Sequence, residues 1–546
     1  MTAELFRVDN LSVFVGIFVG VFSILTLLYS VSFMRGRKGL LRYYCYIILT
    51  FFASLGAVFS NNLIVFMIFW GFLALLLYLL IGFGQKDTTA YTAKKMFIIV
   101  GGTDAFMLLG LGIIWHLTGS FQMDKISIAL NSKAAVLAYL CLASGAFAKA
   151  GAMPFHTWVP DTAEDAPTSV TAFIPAALDK LLGIYFLARI SLDVFQMDKG
   201  MNTFLMVIGS ITIVAAVMMA LIQHDMKRLL GYHAVSQVGY MVLGIGTGSP
   251  IGIAGGVFHM LNNAVYKSCL FFSGGAVEKK AGTDDLSKLG GFAKVMPITF
   301  ATFLIAAFSI SGVPPFNGFA SKWMIYQGII DGAKVGDKLW VIWIVAAMLG
   351  SALTLASFMK LVHAVFLGQP APDKKKLKGE APVPMWLTMV ILSVLCVVFG
   401  IFAYQVPLKM FIFPSLGTPA AFTGIWDSGL ATGMIILGIV IGFLIYLMGT
   451  VVKTRVSEPF IGGERLAKHP DMRPSGTEFY DTIKNMGVLK FIYKLAEKKV
   501  FDIYEVGVKI TLGFNKALRY IHNGVLLTYL AWCLLGLGVI FYILLK

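Results

Sequence analysis

Runs of apolar residues alternate along this chain with short polar connections, and each run is about as long as a hydrocarbon core is thick. A bilayer-spanning helix takes roughly 17–25 such residues. The runs at 11–34, 41–59, 62–84, 94–117, 133–154, 168–190, 203–222, 226–246, 251–276, 296–330, 339–367, 385–405, 431–451 and 524–545 predict about 14 transmembrane helices. The run 296–330 is too long for one straight helix and contains Gly312, Pro314, Pro315 and Gly318. It predicts a helix broken at depth, which is tolerated where the freed backbone faces protein or water. The expected fold class is therefore an all-α polytopic membrane protein.

The polar connections are asymmetric in charge. Basic residues gather in alternate loops: Arg35, Arg37 and Lys38; Lys86, Lys94 and Lys95; Lys227 and Arg228; Lys279, Lys280 and Lys288; Lys374, Lys375 and Lys376; Lys453, Arg455 and Arg465. This positive-inside distribution puts the odd-numbered loops in the cytoplasm and both termini outside it. It also accounts for the formal charge of +16 without nucleic acid as a partner. A hydrophobic share of 58%, 13% charged residues and a mean hydropathy of +0.81 leave too little polar surface for a soluble protein. Met1–Asn10 lacks a basic n-region, so no cleavable signal peptide is expected. Cys45, Cys141, Cys269, Cys396 and Cys533 all lie in apolar runs without CxxC spacing and read as packing residues. No stretch has the form of a nucleotide-binding fingerprint, so no redox chemistry is expected in this chain itself.

Against that background, ionisable residues inside the apolar runs stand out. A lysine near the bilayer centre costs about 2.5–3.5 kcal/mol on insertion scales and is read by default as functional, facing a hydrated interior. Gly145–Phe155, which contains Lys149 and Pro154, interrupts one run, and Ser311–Lys322, which contains Pro314 and Pro315 and ends on Lys322, interrupts another. In each case the next run carries more ionisable groups, Asp179 and Lys180 in the first, Lys360 and His363 in the second. Five runs separate the equivalent positions, and an odd number inverts the second copy, the arrangement of transporters with discontinuous helices. The expected organisation is a peripheral helix at 1–40, two inverted five-helix repeats each forming a half-channel at 41–190 and 203–367, two peripheral helices at 385–451, a lateral amphipathic segment at 452–523 and a terminal anchor at 524–546. Gln369–Pro384 reads as a linker. Gly476–Asn523 alternates apolar and charged residues at helical spacing, as a helix on a membrane surface or on partner subunits would; a soluble linker domain is the alternative.

Short motifs carry a resemblance. Asn61–Asn62–Leu63 with Trp70 and Tyr78–Phe83; Lys149–Pro154 followed by His156–Asp161; Asp225–Tyr232 with Ser236–Tyr240; Phe258–His259 with Tyr266–Lys267; and Gly318–Lys322 occur in that order. Over roughly residues 11–370 the chain resembles the antiporter-like, proton-translocating subunits shared by respiratory complex I (NADH:quinone oxidoreductase), multisubunit cation/proton antiporters and group 4 membrane-bound hydrogenases. Phe460–Glu464 and Leu526–Trp532 look more like the hydrogenase-associated members. The resemblance implies two half-channels joined by a polar axis. Lys149 and Lys322 would be their central lysines, Lys180 the bridging one, Lys227 and Lys267 on the axis, and His259 between lysines. Each has a plainer reading: Lys227 and Lys360 as charges at span ends, Lys180 as a snorkelling residue or the neutraliser of Asp179, and His259 as a core histidine bonded to Asn262 or Asn263.

The chain also departs from the family pattern. Gly71 stands where the family usually has a glutamate that pairs with the first central lysine, and Asp104 is the nearest intramembrane carboxylate that could replace it. Pro175 stands where many members have histidine, and Trp323 where an acidic residue is frequent. The first run resembles the family's third helix. Sodium needs oxygen ligands, and lysines favour protons over sodium. The function expected from the resemblance is proton translocation within a redox-driven complex. Its partners would be other antiporter-like and small membrane subunits, membrane lipids, and peripheral redox subunits holding iron–sulfur clusters with nickel–iron or flavin, in a prokaryotic inner membrane. The alternatives are a monovalent cation/proton antiporter component, a membrane component of proton-coupled inorganic-carbon uptake, or a non-pumping anchor.

Overall fold

A computed structural model describes residues 5–334, 336–369, 379–417, 428–448, 462–464 and 477–545. The predicted loop lysines Lys374–Lys376, the basic residues Lys453, Arg455 and Arg465, most of the Gln369–Pro384 linker, Phe460–Ile461 and much of 452–476 lie outside the described residues. Residues up to Met486 form one compact unit, and Gly487–Lys546 a second.

In the first unit the main helices are α1 (Asn10–Phe33), α2 (Leu40–Phe59), α3 (Leu63–Ile81), α4 (Thr89–Thr118), α5 (Lys133–Ala150), α6 (Trp158–Asp165), α7 (Thr168–Phe173), α8 (Asp179–Arg189), α9 (Lys199–Leu221), α10 (Met226–Gly246), α11 (Pro250–Ala281), α12 (Pro297–Ser311), α13 (Asn317–Lys334), α14 (Trp340–Val362), α15 (Val383–Ile401) and α16 (Ser428–Met448). The second unit holds α17 (Gly487–Glu497), α18 (Ile503–Ile521) and α19 (Leu526–Leu544). Helix occurs at every predicted run, and among the described residues 10 helical segments are long and apolar enough to cross a membrane. α10 and α11 fall outside that set because polar and charged residues interrupt their apolar faces, and α12 and α13 because the break shortens α12 and charge dilutes α13.

Local chemistry sets many of the helix starts. Asn62 accepts the Ile64 N–H at 2.8 Å, Ser132 the Ala135 N–H at 3.1 Å, and Asp198 the Met201 N–H at 2.8 Å, each satisfying a donor that the first turn leaves unpaired. The two breaks are built alike. α5 stops at Gly151, with φ +80°, and α12 at Gly312, with φ +81°, a left-handed conformation that glycine adopts without the Cβ penalty. A cis peptide follows each, Met153–Pro154 and Pro314–Pro315.

α11 is the central element. It is buried along almost its whole length and packs on α7 and α8 on one side and on α10, α12, α13 and α15 on the other. A helix enclosed all round has no solvent face for its polar residues, so those of α11 point into the protein. Around Tyr240 the second half packs Met206, Ile213, Leu243, Ile325, Ile329, Trp343 and Ala347 into one apolar cluster.

Two expectations are corrected. The amphipathic stretch expected as one helix holds two, α17 and α18: Lys499 turns the chain with φ +56°, and Asp502 caps a new helix by accepting the Tyr504 N–H at 3.0 Å. The 168–190 run is also interrupted, by a π-helical turn at Ile174–Leu178, where Pro175 has no N–H to donate to a regular α-helix.

Candidate functional site

Four lysines, Lys149, Lys180, Lys267 and Lys322, have side chains enclosed within the helices, and each rests its ammonium on a backbone carbonyl. Lys149 donates to the Trp70 carbonyl at 3.3 Å and lies 4.8 Å over the Trp70 ring. Lys180 donates to the Ala150 carbonyl. Lys267 donates to the Leu230 carbonyl at 2.8 Å. Lys322 donates to the Ile310 carbonyl at 2.8 Å, with its ammonium 4.6 Å over the Tyr240 ring.

The broken helices explain two of these contacts. The last four carbonyls of a helix have no intrahelical partner, and that end carries partial negative charge. Ala150 closes α5 and Ile310 lies at the end of α12, so each break presents free carbonyls to a lysine from a later helix. Lys360 uses the same device, donating to the Leu221 and Gln223 carbonyls at the end of α9 at 2.8 and 2.9 Å. Lys360 thus lies at the end of α14 against the end of α9.

Among the described residues none of the four enclosed lysines forms an ion pair within 4 Å. The carboxylates that act on Lys149 across longer range are Asp179 and Asp104, and Asp179 acts on Lys180 as well. Asp179 is buried, and its Oδ2 has no hydrogen-bond partner among the described residues. Asp104 lies beside Trp70, and a β-carbon built on Gly71 would stand 3.9 Å from its Oδ2. The carboxylate on α4 thus reaches the neighbourhood of the side chain that Gly71 lacks on α3.

Between the lysines runs a polar seam formed by α10, α11, α13 and α14. His259 Nδ1 is 2.8 Å from Ser321 Oγ, and its Nε2 is 3.1 Å from Gln237 Oε1 and 3.2 Å from the Tyr266 hydroxyl. Its partners are therefore Ser321, Gln237 and Tyr266, and not Asn262 or Asn263 as in the plainer reading of this histidine. Asn262 donates to Ser321 Oγ at 3.0 Å and to the Asn317 carbonyl at 2.9 Å. Asn263 donates to the Ala176 carbonyl of the π-helical turn at 3.3 Å. His233 completes the seam, with Nε2 2.8 Å from Ser357 Oγ. His233 and Ser357 are not singled out by the sequence, and Gln237 and Ser321 enter there only as members of motifs; the available signal was a histidine and a glutamine one helical turn apart inside a predicted span.

Lys227 sits elsewhere. It pairs with Glu278 at 3.0 Å and Asp284 at 3.5 Å, in an ionic cluster at one end of the bundle that also holds Lys86, Glu164, Asp225, Arg228 and Asp161. Lys227 thus differs from the four enclosed lysines in having carboxylates in direct contact. Four segments that the sequence places in separate loops meet at this cluster.

Asp225 is the strained member. It caps α10 by accepting the Arg228 N–H at 2.7 Å. Burial first, and then the neighbouring Asp284 carboxylate, push Asp225 up to about 7, against the backbone hydrogen bond and Lys86. Burial opposes the charge of Asp284 too, but Lys227 and Lys86 hold it below the usual carboxylate range. An unfolded aspartate titrates at about 3.9. Between pH ~4 and ~7 the folded chain therefore keeps a proton on Asp225 that the unfolded chain has released, and stability falls as pH rises through that window. The variant Asp225→Asn keeps the capping oxygen without the charge. It is expected to shrink the loss of thermal stability between pH 5 and pH 8 measured in detergent; a loss equal to the wild type's would refute this assignment.

Comparison with known proteins matches residues 60–366 to the family described as NADH:quinone oxidoreductase/Mrp antiporter, TM. The A1 subunit of the Na(+)/H(+) antiporter of Staphylococcus haemolyticus is 34% identical over 420 residues, 72% of this chain and 52% of that protein. The corresponding Na(+)/H(+) antiporter subunit of Alkalihalophilus pseudofirmus is 31% identical over 420 residues, with the same coverage of 72% and 52%. The chain thus spans about half the length of these relatives. Among solved structures, a chain of the membrane-bound sulfane sulfur reductase, an archaeal respiratory membrane complex, superposes with a TM-score of 0.81 at 24% identity, covering 99% of this chain and 89% of that one. A chain of the Mrp complex from Dietzia sp. DQ12-45-1b gives 0.69 at 22% identity, covering 75% and 83%. With the family match extending over more than half its length and both breaks inside it, this chain belongs to the NADH:quinone oxidoreductase/Mrp antiporter transmembrane family.

Proposed function

We propose that this chain moves protons along its enclosed lysines as one membrane subunit of a multisubunit cation/proton antiporter. The observation that carries this reading is the set of buried ammonium groups, those of Lys149, Lys180, Lys267 and Lys322 and, at the end of α14, that of Lys360, which rest on carbonyls with no carboxylate in direct contact among the described residues. Such charges act strongly on one another in a medium of low dielectric; Lys180, for example, acts on Lys267. A proton arriving at one lysine therefore alters the hold of the next, and the sequence can propagate. The named relatives are Na(+)/H(+) antiporter subunits, which supports exchange as the driving reaction. Sodium would be handled by oxygen ligands elsewhere in the assembly.

A second reading, membership of a redox-driven complex, draws support from the full-length likeness in fold to the sulfane sulfur reductase chain. One preparation separates the two. Inverted vesicles carrying the complex are energised, and the pH gradient is followed by a fluorescent probe while sodium is added; iron is counted in the purified assembly. Collapse of the gradient on sodium addition, with little iron, is the expected result. Many iron atoms per chain and a gradient indifferent to sodium would replace the antiporter reading with the redox one.

A further inference from the structure

We propose that His233 is the relay that passes protons between Lys267 and Lys322, an inference that rests on the lysine chain being a proton pathway. Residues three and four apart on a helix share a face, and Leu230, His233, Gln237 and Tyr240 form such a row on α10. At one end of the row the Leu230 carbonyl holds the Lys267 ammonium at 2.8 Å. At the other, the Tyr240 ring lies 4.6 Å from the Lys322 ammonium. His233 and Gln237 are the polar side chains between them.

The surroundings of His233 fit a relay better than a packing role. The residue is completely buried, and the charges that act on its ring are those of Lys267 and Lys322. Phe358 is a common neighbour of His233 and Lys267, with its ring centroid 4.8 Å from that of His233 and 5.8 Å from Lys267 Nζ, which puts the two groups in one region of the interior. Ser357 fixes the ring through Nε2. His233 Nδ1 and Gln237 Nε2 have no hydrogen-bond partner among the described residues. Buried polar atoms are satisfied as a rule, and two such nitrogens one helical turn apart on one face are what a bridging water requires. His259 differs, because both of its ring nitrogens are engaged by protein groups.

The transfer balances. The Lys267 ammonium gives a proton to the unprotonated nitrogen of a neutral His233. The imidazolium then releases a proton that reaches the neutral amine of Lys322. Lys267 ends neutral, Lys322 cationic, and the ring neutral again. An imidazole is suited to this because one nitrogen donates while the other accepts.

The test compares His233→Gln, Ser357→Ala and Lys322→Ala in the assembled complex, reading the initial rate of proton movement in inverted vesicles with the amount of complex quantified. Glutamine keeps a hydrogen bond to Ser357 within reach but cannot take up a proton. Its rate is expected to fall by about tenfold or more. If Lys322→Ala is inactive while His233→Gln runs at the wild-type rate, the relay is overturned and the pathway stands. A wild-type rate in Lys322→Ala removes the pathway and the relay with it. Should His233→Gln fail to assemble, Ser357→Ala decides, since it leaves the ring in place but unfastened: a several-fold slowing supports the relay, and an unchanged rate overturns it.

Discussion

Lys322→Ala is expected to lower proton movement by about a hundredfold or more, the size of contribution that a positioned proton-transfer group makes, while the complex still assembles. The reason lies in the break between α12 and α13. Gly312 ends α12 in a left-handed turn, the Ile310 carbonyl is left without a helical partner, and the Lys322 ammonium takes it at 2.8 Å. Truncation removes the ionisable group at that point and leaves the carbonyl to water, so the fold loses a hydrogen bond of roughly 1.5–3 kcal/mol and the pathway loses a station. Lys322→Arg is expected to be nearly as inactive, since a guanidinium does not give up its proton in proteins. Rates in inverted vesicles, normalised to the quantity of complex, measure both. A Lys322→Ala variant that moves protons at the wild-type rate would place the pathway elsewhere.

Asp104→Asn is expected to impair translocation about as severely as Lys149→Ala. The resemblance implies a glutamate partner for Lys149 at the position on α3 where this chain has Gly71, and Asp104 on α4 holds its carboxylate 3.9 Å from where a Gly71 β-carbon would stand. Asp104 is one of the two carboxylates that act on Lys149, and in a medium of low dielectric a charge at such range changes how firmly Lys149 keeps its proton. A carboxylate can do this from either helix. The stronger form of the prediction is therefore a rescue, in which Gly71→Glu added to Asp104→Asn restores a large share of the lost rate. The 3.9 Å gap at Gly71 is ordinary van der Waals contact, so the added side chain has room to start. Near-normal transport by Asp104→Asn would show that Lys149 works without a counter-charge, and a Lys149→Ala variant with the wild-type rate would confine transport to the second half of the chain.

Much of this protein was legible along the chain. Apolar runs of spanning length placed the helices, since in lipid a backbone must satisfy its own hydrogen bonds and helix does so within one segment. Gly151 and Gly312 with their prolines marked the breaks, because those residues dictate backbone geometry locally. Lys149, Lys180, Lys267 and Lys322 announced themselves by being charged inside apolar runs. Asp104 stood out in the same way, and the resemblance to the family marked Gly71 as a position where a glutamate is usual.

Other features depended on which residues from distant segments meet, and periodicity does not encode that. Lys227 and Lys267 are both lysines on polar stretches of neighbouring helices, yet one pairs with Glu278 and Asp284 and the other rests on the Leu230 carbonyl. His259 could have bonded either adjacent asparagine, but the approach of α13 and α10 gives it Ser321 and Gln237. His233 went unremarked because its meaning comes from Ser357, 124 residues later, and from two lysines on other helices. Helix and charge follow from local chemistry and the solvent a segment must meet. The hydrogen-bond partners of a buried polar group are set by packing, and only the folded chain brings them within about 3 Å.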